Sequence, residues 1–252
     1  GKRNRSVTLK PQIYFWPPQV NHFKRNNLRV KILYEDTMID KDKLWGKYKR
    51  EIKDDLSSIR IGSDDDPSDL ADFYEERLSD AAEILWHAVA IHKFQFLVLL
   101  CQTWENEFIS FVTQEFKKTF FEFERTLTYG EAMDEILLKV VGESNVRGLE
   151  KIRELRLLVN VIKHGEGNSA DKLRKKRPDF FQHDRNEPVD NRNDRLVTWN
   201  SVLLDAEALN VDGDEFYSYF EAINEFWKSM PIRLYLDESP PVYEENGSTN
   251  DR

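Results

Sequence analysis

The chain has 252 residues, of which 40% are hydrophobic, 12% aromatic and 33% charged, and its formal net charge is −9. A chain of this length can bury a substantial core, and its aromatic content excludes a wholly disordered polymer. A single cysteine, Cys101, excludes an intramolecular disulfide and a cysteine zinc cage, which favours a reducing, cytoplasmic setting.

Residues 12–16 (QIYFW) predict a short strand halted by Pro17-Pro18. Leu28, Val30, Ile32 and Tyr34 alternate with other residues and predict a second, half-buried strand. Leu44, Tyr48 and Ile52, spaced by four, predict a helix over residues 40–56. An acidic loop, Gly62 to Asp69, follows and sets the expected main boundary. Residues 1–66 read as an N-terminal β/helix extension, 67–236 as a helical bundle and 237–252 as a flexible tail.

No Gly or Pro occurs between Ser68 and Tyr129, so this stretch reads as mostly helix, expected as two helices breaking near residues 89–93. A third helix is predicted over 129–141, a turn from Gly142 to Gly148, and a fourth helix over about 146–164. His164-Gly165 suits a helix end, with a basic residue in the last turn and Gly as the C-cap. Beyond it come a short helical turn over 170–176, a polar loop over 182–195, a strand over 196–204 and a last helix over 214–229, stopped by Pro231. The expected fold is mainly α, a helical bundle with a small N-terminal β element. The longest unbroken apolar run, Phe96 to Cys101, is far shorter than the ~20 residues of a membrane helix, and no apolar signal segment follows the basic start. No membrane partner is expected.

Charge is uneven: residues 1–60 carry more Lys and Arg than Asp and Glu, and the remainder is acidic. An acidic body argues against coating nucleic acid over its whole surface, because each phosphate contact needs a cation. A local basic site remains: Lys172, Arg174, Lys175, Lys176 and Arg177, with Lys163 close in sequence. A solvated surface turn explains such a cluster equally well.

The predicted fourth helix is two-faced. On a helical wheel, Ile152, Leu158, Val159 and Ile162 fall within ~60° of Leu155 and form a core stripe. Arg153, Leu157, Asn160 and His164 lie within ~40° of the opposite pole, with Arg156 on the flank. Imidazole can take a proton from a ribose 2′-hydroxyl or give one to a leaving oxygen near neutral pH. Guanidinium can clamp a phosphate, and an amide can position one. No metal or cofactor is needed for that chemistry. A plain surface helix with a dipole-compatible His at its end is the alternative.

The string Arg153-Glu-Leu-Arg156-Leu-Leu-Val-Asn160-Val-Ile-Lys163-His164-Gly165-Glu-Gly167 resembles the signature helix of the HEPN superfamily. These are all-helical domains, many of them metal-independent RNases of bacterial toxin and antiphage systems. Their pattern is an Arg, a polar residue (often Asn) directly after it, and a His after a gap of four to six residues from the Arg. Asn160 and His164 match, while Val159 stands where the pattern places Arg. Either Arg153 or Arg156 then stands in, or the domain is a non-catalytic relative. The resemblance spans residues 68–180. It implies His164 as general acid/base, Asn160 positioning the scissile phosphate, Arg153 or Arg156 stabilising its charge, and the lysine- and arginine-rich cluster holding the RNA backbone. It also implies a homodimer or a partner protein of a defence or toxin system. The rival class is a non-catalytic interaction or regulatory module for a protein or nucleotide.

Overall fold

A computed structural model describes residues 10–59, 62, 67–181 and 209–236. The fold is mainly α with one small antiparallel sheet, as expected. Strand β1 (Gln12–Tyr14) pairs with β2 (Arg233–Tyr235), matching Ile13 with Leu234. The helices are α1 (Pro17–Asp36), α2 (Lys41–Ser58), α3 (Pro67–Thr119), α4 (Leu138–Val141), α5 (Leu149–His164), α6 (Asn168–Lys176) and α7 (Asp214–Ser229). A π-helical segment, Glu131–Leu137, leads into α4. The expected loop over 182–195, the strand over 196–204, and the tail over 237–252 lie outside the described residues, as do residues 1–9.

Two expectations are corrected. Residues 28–34 form helix, not strand, within the 20-residue α1. The buried positions are Phe23, Asn27, Val30 and Tyr34, spaced by four, three and four, whereas Leu28 and Ile32 are 44% and 43% exposed. The alternation of apolar letters is real, but half of them face outward. Pro17-Pro18, which end the strand, also open the helix: proline is preorganised for a first helical turn, where its missing N–H is not needed.

The second correction concerns residues 89–93, where α3 continues unbroken for 53 residues. Val89-Ala-Ile-His-Lys93 holds no breaker and no cap. Moreover, the buried residues Ala90, Phe94, Leu97, Cys101, Trp104, Phe108 and Phe111 run straight through, spaced alternately by four and three. That spacing of about 3.5 keeps one continuous stripe against its neighbours. Average helix length suggested the break; nothing in the residues did. The same helix is long and apolar enough, by length and composition, to cross a membrane, with 28% of its most apolar window buried. His92, Lys93 and Gln95 interrupt its apolar residues, so its longest unbroken apolar run remains the short Phe96 to Cys101.

Local signals explain the other ends. The Asp40 carboxylate accepts the Lys43 N–H at 3.0 Å and caps α2. Thr128 and Glu131 form a reciprocal capping box: Glu131 Oε2 accepts from the Thr128 N–H at 2.8 Å, and Thr128 Oγ1 accepts from the Glu131 N–H at 3.3 Å. Arg125 grips the same carboxylate with two 2.7 Å bonds.

The chain divides into two compact units, each assembled from separate stretches. The first comprises Gly1–Asn27, Gln102–Leu149 and Ala222–Arg252; the second comprises Leu28–Cys101 and Glu150–Glu221. The first unit has an aromatic core: Trp104 stacks on Phe108 at 5.8 Å and meets Phe226 edge-on at 5.3 Å, and Phe23 packs on Trp227 at 4.6 Å. In the second, Tyr34 stacks on Phe216 at 4.1 Å and on His92 at 5.4 Å. The boundary expected at residue 66 falls between α2 and α3, and residues before it are shared between both units.

Candidate functional site

Helix α5 carries the motif residues. Gly165 ends it in the left-handed region, with φ +71°, and donates its N–H to the Val161 carbonyl at 2.8 Å. The sequence-expected end is therefore where the helix stops. Ile152, Leu155, Leu158, Val159 and Ile162 are buried, as the wheel predicts. On the other side Asn160 and His164 are exposed and lie one turn apart. Arg153 and Arg156 are half-buried. Arg153 donates to Glu150 at 2.9 Å.

Helix α6 follows after Glu166-Gly167 and seats Ala170 and Leu173 in the core of the second unit. The cations from the end of α5 to Arg177 divide into two groups. Lys163, Lys172 and Lys175 are exposed. Arg174, Lys176 and Arg177 are held by carboxylates. Arg174 binds Glu166 at 2.6 Å and Asp171 at 3.2 Å, and its guanidinium lies 4.5 Å over Phe181. Lys176 reaches Glu150 at 2.9 Å, so Glu150 bridges it to Arg153. Glu150 is exposed, and such a bridge contributes little to stability.

Arg177 is more deeply engaged. It donates to Glu154 at 2.8 Å, to both oxygens of Asp179 at 2.7 and 3.0 Å, and to Glu215, and it lies 3.9 Å over the Phe180 ring. Glu154, 5% exposed, also accepts from Lys151 at 2.7 Å and from the Tyr219 hydroxyl at 2.8 Å. Lys151 donates in turn to Glu215 at 3.0 Å. The result is a compact, partly buried cluster of two cations, three carboxylates and one phenol. Burial, followed by the charge of Glu154, pushes the Tyr219 hydroxyl well above its ordinary range, so it stays a donor. For Glu215, burial alone would raise its pKa, but bonds from Arg177 and Lys151 outweigh it and hold the carboxylate below its ordinary value. The Arg177 bonds do the same for Asp179.

These directions set a pH dependence. A carboxylate whose folded pKa is depressed contributes stability above its unfolded pKa and loses it as pH falls through the folded one. The contribution of Glu215 and Asp179 is thus present above the ordinary values of 4.5 and 3.8 and disappears below them. Acid unfolding followed by circular dichroism should show a shallower acid limb in Glu215→Gln than in the unaltered protein. An unchanged limb would mean that the bonds from Arg177 and Lys151 to Glu215 are not formed in solution.

The sequence reading missed Glu154, yet a signal was available. Val161 is fully buried. It lies ~120° from Leu155 on the wheel, and Glu154 lies ~100° away on the same side. Extending the apolar arc to Val161 places Glu154 inside it, and a buried carboxylate needs a cationic partner. Among the described residues, no group of three or more His, Cys, Asp or Glu side chains is placed to hold a metal ion. The acidic turn at Asn210–Glu215 serves α7, with Asp212 accepting the Gly213 N–H at 3.0 Å. Compared with known proteins, the chain matches no family model, no curated protein and no solved structure.

Proposed function

We propose that this chain is a HEPN-like, metal-independent RNA endonuclease or RNA-binding domain of a bacterial defence or toxin system, acting through the outward face of α5. The observation that carries the reading is the exposed pair Asn160 and His164, one turn apart beside the left-handed turn at Gly165. His164 takes the proton from a ribose 2′-hydroxyl as its oxygen attacks the adjacent phosphorus. The bond from phosphorus to the 5′-oxygen breaks, and that oxygen leaves with a proton supplied by the paired protomer's histidine or by water. The products are a 2′,3′-cyclic phosphate and a 5′-hydroxyl. Asn160 positions the phosphate, and Arg156 or Arg153 offsets its charge. Lys163, Lys172 and Lys175 are exposed cations available to the RNA backbone, Lys176 is exposed but pairs with Glu150 at the surface, and Arg174 and Arg177 already serve carboxylates within the fold.

A specific observation favours a second reading, a non-catalytic interaction module. Val159 occupies the position where the family pattern places Arg, and it is 3% exposed, packed into the core. Loss of that cation without a substitute leaves a surface able to bind but not to cleave.

The test is cleavage of mixed cellular RNA in the presence of EDTA. The nuclease reading expects cyclic phosphate ends from the unaltered protein and a loss of at least ~10²-fold in His164→Ala. Equal cleavage by both proteins would remove His164 from the mechanism. RNA binding without cleavage by either would leave the RNA-binding form of the first reading, and neither binding nor cleavage by either would favour the second.

A further inference from the structure

The first unit contains a cavity of about 510 Å³, lined by residues of β1, α1 and α3. Its walls combine Trp16, Phe23 and Phe111 with the carboxylates Glu107 and Glu115 and one cation, Lys118. The two carboxylates are not equivalent. Glu115 is buried and already served, accepting from the Tyr14 N–H at 3.1 Å and from Lys118. Glu107 accepts one bond among the described residues, from the Asn26 side-chain amide at 2.6 Å, through a single oxygen. Its second oxygen has no such donor. Burial raises the Glu107 pKa and the Asn26 bond only partly opposes it. A half-buried carboxylate of this kind is under-compensated, and a cation brought to it would relieve the penalty.

The aromatic side of the cavity is also open. Tyr14 already carries the Arg233 guanidinium 4.2 Å over its ring. Phe23 and Phe111 pack edge to face at 5.7 Å and belong to the core. Trp16, by contrast, is 52% exposed at the cavity, and indole is the best of the aromatic faces for a cation or a flat apolar body. The residues and their chemistry therefore select a ligand with a positive head and an apolar stem.

We propose that this cavity binds a small organic ammonium cation, with the ammonium group on the free oxygen of Glu107 and the apolar body against Trp16 and Phe23. Lys118, held by Glu115, disfavours a ligand of more than one positive charge. This site is independent of the α5 face, and its test says nothing about His164.

The probe is phenethylammonium at neutral pH, with 2-phenylethanol as the uncharged equivalent, followed by calorimetry and by the fluorescence of the full chain. Phenethylammonium is expected to bind with a submillimolar Kd, and the alcohol not to bind detectably. Glu107→Gln, whose amide oxygen can still accept from Asn26, should weaken binding by ~10-fold or more. Trp16→Ala changes an exposed residue, so it should fold normally and weaken binding as well. Equal affinity for the alcohol, full affinity in Glu107→Gln, or no binding by the unaltered protein would each overturn the proposal.

Discussion

Gly148→Ala is expected to lower the melting temperature by about 6–12 °C, the equivalent of about 3 kcal/mol in a chain of this size. Two terms combine. Gly148 has φ +71°, and a side chain in the left-handed region costs roughly 1–2 kcal/mol. A Cβ at this position would also lie 2.2 Å from the Ala222 carbonyl oxygen and 2.9 Å from its carbon. These are backbone atoms of α7 and cannot swing aside as a flexible side chain would. Forcing such an overlap typically costs about 1–3 kcal/mol. The junction is fixed from a second direction as well: the Arg147 N–H donates to Ser229 Oγ at 3.1 Å. Gly46→Ala is the matched control, since Gly46 lies within α2 and the nearest atom to its Cβ would be the far end of Arg50, 3.6 Å away. That variant should be neutral or stabilised by up to ~1 kcal/mol, because alanine loses less entropy in a helix. Thermal unfolding of both separates the effect of position from that of residue type. Equal melting of Gly148→Ala and the unaltered protein would mean that the start of α5 does not press on α7.

The outline of the fold was legible where a residue carries its own local instruction. Gly165 ends α5, the four-residue spacing of Leu44, Tyr48 and Ile52 marks α2, and most of the run without Gly or Pro is helical, although as one helix, not two. It was not legible where two periods compete over a short stretch. Leu28 to Tyr34 satisfies a strand alternation and a helical stripe together, and only the neighbours that bury Val30 and Tyr34 decide between them. The site divides in the same way. A wheel places Asn160 and His164 outside, because that follows from spacing alone. It cannot show that three of the six nearby cations are bound to carboxylates, since Glu154 and Glu215 lie 23 and 38 positions from Arg177, Glu166 lies 8 from Arg174 and Glu150 lies 26 from Lys176. A basic run in sequence is thus an upper limit on the cations offered to a ligand.

Arg177 gives the sharpest test of that distinction, because the two roles predict opposite results. If Arg177 supports the fold, Arg177→Ala should destabilise the protein by about 1–3 kcal/mol, below the ~3–5 kcal/mol seen when the surviving partner of a buried pair is left wholly uncompensated. Glu154 is the group left behind: its side chain is 7% exposed, and Lys151 and Tyr219 remain as its donors. Arg177→Lys should fall between the two, since an ammonium keeps the charge but loses the fork that joins Asp179, Glu154 and Glu215. On the proposed RNA-binding reading, affinity for RNA, measured well below the melting point, should hardly change in Arg177→Ala, whereas Lys172→Ala and Lys175→Ala should each weaken it and reduce its salt dependence. The reverse pattern, unchanged melting with weakened RNA binding, would return Arg177 to the phosphate-holding surface and require Glu154 to be satisfied by Lys151 and Tyr219 alone.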